Sequence, residues 1–167
     1  MAIHEVLKYP DKRLRQKSEP VLDFKSAQVV IDDLLEIMQA SGHSVGIAAP
    51  QIGVLLRIVV IDCSAHVKKS LGPLILVNPM ILESEGIYTM REGCMSLPDY
   101  LGSVTRPRRV LVRAQDRQGE FFDVEAKKFE SIVIQHEIDH LDGILFIDRV
   151  VSKAGLMRRS EMLRQKK

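Results

Sequence analysis

With 167 residues the chain is long enough for one ordinary domain, expected to span 1–167, and too short for two. Its 46% hydrophobic, 28% charged and 5% aromatic content excludes a disordered or fibrous chain, and two cysteines, Cys63 and Cys94, exclude a disulfide-dense scaffold. The net charge of +2 is unevenly spread: in the tail at 152–167, Lys153, Arg158, Arg159, Arg164, Lys166 and Lys167 face only Glu161, behind a mildly acidic body. No apolar run reaches the ~20 residues needed to cross a bilayer. The opening MAIHEVLKYPDKRLRQ is charged from its start and lacks the apolar stretch of a secretory signal. A cytoplasmic protein is expected, with neither a membrane nor DNA as partner.

Ala27, Val30, Ile31, Leu34 and Met38 recur at helical spacing, with Gly42 as a stop signal, and predict a first helix. SVGIAAPQIG, small and punctuated by glycine, reads as a loop or a short edge strand. Residues 57–63 and 74–78, rich in branched apolar side chains, read as strands, the second ended by Pro79. Residues 110–114 and 120–124 predict a hairpin across Asp116-Arg117-Gln118-Gly119.

A second helix is expected from about residue 125 to 141, capped by Asp123 and closed by Gly143. Within it Phe129, Val133, His136 and His140 share one face, and Ile134, Ile138 and Leu141 another. Gln135, Asp139 and Asp142 form a polar stripe. A helix apolar on two sides belongs inside a wrapped sheet. The fold class is therefore α+β: β-sheets surrounding a central C-terminal helix, with an N-terminal helix and a C-terminal helical tail. That tail, with Leu156 and Leu163 as a weak apolar stripe, is expected to be mobile or docked from outside.

The sharpest chemical feature is His136-Glu137-Ile138-Asp139-His140. Residues i and i+4 of a helix project the same way, so both imidazoles reach one metal ion, with Glu137 beside them to handle the proton of a water. Two ligands do not make a site. The extended motif HExxHxxGxxH fails here, because Phe146 stands where its third histidine belongs. Glu161 lies at a distance used by some helical zinc peptidases, although an ion pair in the basic tail is its plainer role. His4, His43 and His66 read as surface histidines, and Cys63 as a small core hydrophobe. Cys94 sits in a turn punctuated by Gly93 and Pro98, where a thiolate is presentable, and Cys/His/His leaves a fourth coordination position open. Three readings follow: a hydrolase using Cys94, a zinc endopeptidase using Glu161, and a protein that holds metal only structurally or binds chain ends without cleaving them.

Three segments then fall together: SVGIAAPQ (44–51), EGCMS (92–96) and QHEIDHLDG (135–143). They resemble the three signature motifs of bacterial peptide deformylases, in order, spacing and chain length. The resemblance implies a metal-dependent hydrolase that removes formyl groups from N-formylmethionyl nascent polypeptides and releases formate. It implies Fe2+, one per chain, with Zn2+, Ni2+ or Co2+ as substitutes. Cys94, His136 and His140 become the metal ligands, and metal-bound hydroxide attacks the formyl carbon with Glu137 as general base and acid. Gln51 and the backbone N–H of Met95 become the oxyanion donors. Val45, Gly46 and Gly93 would hold the substrate main chain as an added strand. Val45, Phe129, Ile132 and Val133, with the aliphatic face of His136, would line the methionine pocket.

Two positions depart from the family pattern: Ser44 where the first motif begins with glycine, and Met95 where leucine is usual. Glu92 is expected to pair with Arg106 and fix the cysteine loop. The basic tail adds the ribosome as a possible partner, through a salt-sensitive contact with its RNA.

Overall fold

The helical spacing around Ile31 and Leu34 is realised as α1, Phe24–Ser41. Asp23 caps it by accepting from the N–H groups of Lys25 and Ser26, and Gly42 ends it at φ 72°. The computed structural model describes residues 4–152 and 155–165, apart from the side chains of 162, 163 and 165. Its strands are β1 (Gly46–Ala48), β2 (Ile58–Ile61), β3 (Leu74–Glu85), β4 (Tyr88–Cys94), β5 (Leu97–Arg106), β6 (Arg109–Gln115) and β7 (Phe121–Lys127). After α2 (Phe129–Leu141) come β8 (Leu156–Arg158) and α3 (Arg159–Gln165). Neighbours pair antiparallel in a five-stranded sheet of order β1-β2-β3-β6-β7 and a three-stranded sheet of order β4-β5-β8.

Strand alternation explains how the larger sheet serves both helices. On β2, Ile58 and Val60 face α1 and pack with Ile31, Leu34, Ile47 and Val77. Val59 and Ile61 face α2 and pack with Val133, Ile134, Ile138 and Leu141. The second sheet covers the remaining side of α2, over a cluster of Leu14, Leu97, Val104, Leu145 and Phe146. From Glu130 to Leu141 every residue of α2 is buried, as expected for a helix enclosed by sheets. At its end Gly143 adopts φ +72°, and a Cβ there would lie 2.4 Å from the Arg15 carbonyl oxygen. Only glycine satisfies both the turn and the close approach.

Several expected boundaries move. α2 starts at Phe129, because 125–127 complete β7, and Lys128 breaks the strand at φ 54°. Asp123 is not its cap; it sits in β7, paired with Arg113 on β6 at 2.8 Å. Pro79 does not end its strand either. Asn78, at φ 51°, and Pro79 occupy a register shift between Val77 and Met80, after which β3 continues to Glu85. A bulge tolerates the missing proline N–H. SVGIAAPQIG contains the edge strand β1 followed by a tight 3-10 turn, Ala49–Ile52.

Of the polar stripe, Asp142 is exposed but Gln135 and Asp139 are buried. Gln135 donates to the Pro107 carbonyl, and Asp139 pairs with Arg106 and Arg149. The tail also differs from a merely external helix. β8 joins the second sheet through Tyr100↔Arg158, Leu101↔Met157 and Gly102↔Leu156, and Leu156 packs on its core. Lys153, Lys166 and Lys167, and the side chain of Leu163, lie outside the described residues. Among the described residues no helix is long and apolar enough to cross a membrane.

Candidate active site

α2 and the β4–β5 connection bring the chemistry together. Cys94 ends β4, the turn at Met95-Ser96 reverses the chain, and the thiol meets α2 with Sγ 3.3 Å from His140 Nε2. His136 Nδ1 bonds Glu92 Oε1 at 2.8 Å, which leaves Nε2 for the site. Ligand atoms of Cys94, His136 and His140 all lie within 4.8 Å of one another, and among the described residues this is the group with metal-binding convergence. Glu161 is exposed on α3 and does not join it.

Burial and charge set the protonation of these groups. Burial and the charges of His136 and Arg106 hold His140 well below its ordinary pKa, so it is a neutral donor. Burial works against charge on His136, but its bonds to Cys94 and Glu92 outweigh that and raise its pKa well above the ordinary value. Burial pushes Glu137 up to about 7, with His136 opposing and Glu92 assisting. Glu137 Oε2 and His140 Nδ1 are buried without a hydrogen-bond partner. A soft sulfur, two imidazoles and an unpartnered carboxyl oxygen fit a divalent transition metal.

Gln51 sits in the 3-10 turn and is 1% exposed. Its Oε1 accepts from the Ala48 N–H at 2.9 Å, which fixes the amide. Nε2 therefore faces inward, donating to Ser96 Oγ at 3.1 Å and lying 3.6 Å from Cys94 Sγ. The N-terminal segment ties both sides of this arrangement. Leu7 N–H donates to the Gln51 carbonyl, Tyr9 N–H to the Ser96 carbonyl, and Lys8 Nζ to the Met95 carbonyl.

A cavity of about 300 Å3 opens over these groups. Val45, Gly46, Gly93, Met95, Phe129, Ile132 and Val133, each singled out from the sequence, line it together with Gln51, Cys94, His136 and Glu137. A Cβ at Gly46 would stand 3.0 Å from both Cγ and Oε1 of Glu137, so the glycine makes room for that carboxylate. Ser44 donates from Oγ to the Gly46 carbonyl at 2.9 Å, which gives the departing serine a local role. Sequence reasoning missed Ser96, Asp139, the N-terminal tie and Arg159, which lines the cavity mouth from the tail. Only the helical spacing between Gln135 and Asp139 carried any signal of the second of these.

Glu92 takes the expected bond with Arg106, at 2.8 Å, as well as the one with His136. Arg106 passes on to Asp139, and Asp139 to Arg149. Cys63 is fully buried, its thiol pushed up to about 12 by burial, with Glu130, Asp62 and Glu137 adding to the shift. His43 and His66 are exposed, and His4 pairs with Asp33.

Residues 3–155 match the sequence model of the family described as Polypeptide deformylase. The chain belongs to that family. Among polypeptide deformylases it is 44% identical over 150 residues to Peptide deformylase 3 of Shewanella oneidensis, covering 90% of each chain. It is 48% identical over 151 residues to the peptide deformylase of Heliobacterium modesticaldum, covering 90% of this chain and 95% of that one. The crystal structure of a peptide deformylase from Legionella pneumophila superposes with a TM-score of 0.83 at 40% identity, over 99% of this chain and 93% of the other. That of the Synechococcus elongatus deformylase in complex with actinonin gives 0.83 at 32% identity, over 98% and 85%. The match to deformylase structures includes the α+β arrangement of sheets around α2.

Proposed function

We propose that this protein removes the formyl group from N-formylmethionyl ends of newly synthesised polypeptides, releasing formate. The convergence of Cys94, His136 and His140, with Cys94 and His136 lining one cavity beside Glu137 and Gln51, carries the reading. Cys94, His136 and His140 would hold one Fe2+, with Zn2+, Ni2+ or Co2+ able to replace it. The ion supplies a Lewis acid that makes water nucleophilic near neutral pH.

The chain's own residues do the rest. Glu137, unpartnered at Oε2, takes the proton of the attacking water and delivers it to the amide nitrogen as the C–N bond breaks. Gln51 Nε2 and the Met95 N–H stabilise charge on the formyl oxygen; one such preorganised donor is worth roughly 2.7–4 kcal/mol. β1 and β4 are edge strands of their sheets, so Val45, Gly46 and Gly93 offer backbone to an added substrate strand. Val45, Phe129, Ile132 and Val133 receive the methionine side chain. Glu92 orients His136 and acts on no substrate atom.

Formate release from formyl-Met-Ala-Ser by iron-loaded protein under anaerobic conditions tests the reading. Cleavage within an unformylated peptide would favour an endopeptidase instead, and bound metal without turnover a structural site. Such substrates would be met in the cytoplasm, at the ribosome. Arg158 and Arg164 are exposed on the basic tail, and each phosphate contact they make would steepen the salt dependence of ribosome binding. Charge reversal at Arg164, Lys166 and Lys167 should then weaken co-sedimentation at low salt; undiminished co-sedimentation rejects ribosome docking by the tail.

A further inference from the structure

We infer that Arg159 selects substrates that carry a carboxylate just beyond their formylmethionine, an inference that rests on the deformylase reading above. The arginine belongs to this chain's own tail, outside the stretch 3–155 matched to the family. β8 brings it there: Arg158 pairs with Tyr100 on β5, and the chain turns into α3 at Arg159, which lines the cavity. Its position is anchored by the next residue, because Ser160 donates from its N–H and hydroxyl to Asp99 at 3.2 and 3.4 Å. A Cβ placed on Gly93 would lie 3.5 Å from Arg159 Nη2, so the guanidinium overhangs the backbone that an added substrate strand would meet.

The exposed charge that lines the cavity here is basic. Arg91 and Gly93 lie two residues apart on β4 and so share a face, and Arg91 also lines the cavity. Among the described residues, neither Arg91 nor Arg159 lies within ion-pairing distance of a carboxylate. Arg158, by contrast, lies over the Tyr100 ring at 5.6 Å. The carboxylates in the cavity wall, Glu92 and Glu137, are buried at its base, and Glu92 is held by Arg106 and His136. The exposed charged side chains that line the cavity are therefore these two guanidinium groups, with Asp99, engaged by Ser160, outside the lining.

An extended substrate whose methionine side chain enters the apolar pocket turns its next side chain the other way, and each further residue advances about 3.3 Å. The second and third substrate residues thus pass the arginine pair. The planar guanidinium donates two N–H groups to a carboxylate there in a two-point arrangement. That carboxylate is either an Asp or Glu side chain or the terminus of a short peptide.

The test compares kcat/KM for formyl-Met-Ala-Ser as free acid and as C-terminal amide, and for formyl-Met-Asp-Ala-amide against formyl-Met-Asn-Ala-amide. The wild type should prefer the carboxylate member of at least one pair by about fivefold at low salt, the upper range for an exposed arginine pair, with the difference in KM. Arg159→Ala should bring that ratio to about one, and Arg159→Lys should retain part of it. Because the readout is a ratio, a general loss of activity does not mimic the effect. A response in the first pair assigns the terminus, and in the second the side chain. A wild type without preference, or a ratio unchanged in Arg159→Ala, overturns the inference. Absence of formate release from every peptide would instead overturn the deformylase reading.

Discussion

Glu137 has its carboxyl within 3.0 Å of where a Gly46 side chain would begin, so one methyl group measures how tightly that carboxylate is held. Gly46→Ala should cost about 1–3 kcal/mol through crowding and displace the carboxylate. We expect full metal content, a lower melting temperature and at least a tenfold loss of kcat, read by metal analysis, calorimetry and formate assay. Unchanged kcat would show that Glu137 has room to move. A second comparison separates base from ligand. Glu137→Gln should keep its metal and lose about 10²–10⁴-fold in turnover, the range for a general acid–base group. Cys94→Ala should lose the metal itself, and a fully loaded, active Cys94→Ala protein would refute the ligand assignment.

At the scale of elements, the tail behaves as part of a sheet. Truncation after Val151 would strip β8 from β5 and uncover the contacts of Leu156 with its cluster. We expect a loss of about 1–3 kcal/mol, hence a visibly lower melting temperature, together with weaker peptide turnover. A truncated protein with unaltered melting would mean that β8 adds nothing to the sheet. The sequence carried no signal of this strand, because Leu156-Met157-Arg158 is too short to show alternation. α1 and α2 were readable from apolar spacing, as was the β6–β7 hairpin from Gly119 and its flanking strands. β4 and β5 were not, because Gly93, Pro98 and Gly102 look like turn residues although they lie within strands. The same glycine and proline pattern did mark the Cys94 turn. His136 and His140 were legible because their i, i+4 spacing reports local geometry, and Cys94 from its turn and the EGCMS segment. Ser96, Lys8 and Arg159 were not, since only tertiary packing brings them to the site.

Across the whole molecule, Arg15, early in the chain, pairs with Asp148 after α2, and Asp148 also accepts from the Leu145 N–H at 2.9 Å. Burial opposes ionisation of Asp148, but these bonds outweigh it and hold its pKa below the ordinary value. A carboxylate lowered on folding stabilises above its unfolded pKa of about 3.9, and that contribution is lost as pH falls through the folded value. Asp148→Asn should therefore lower stability at pH 7 by no more than about 1 kcal/mol, solvent screening at this half-exposed pair holding the effect small, and its melting temperature should converge with the wild type as the pH falls through the folded value. A gap that persists in acid would assign the effect to packing. The tie from Leu7, Lys8 and Tyr9 to Gln51, Met95 and Ser96 has a kinetic consequence. The Lys8 contact closes a separation of 87 residues, and the Cys94–His140 contact one of 46. Loops of such length form late, because their closure entropy must be met before the contact rewards it. Refolding followed by activity should accordingly lag behind refolding followed by helix signal, with catalytic competence arriving as one of the last events.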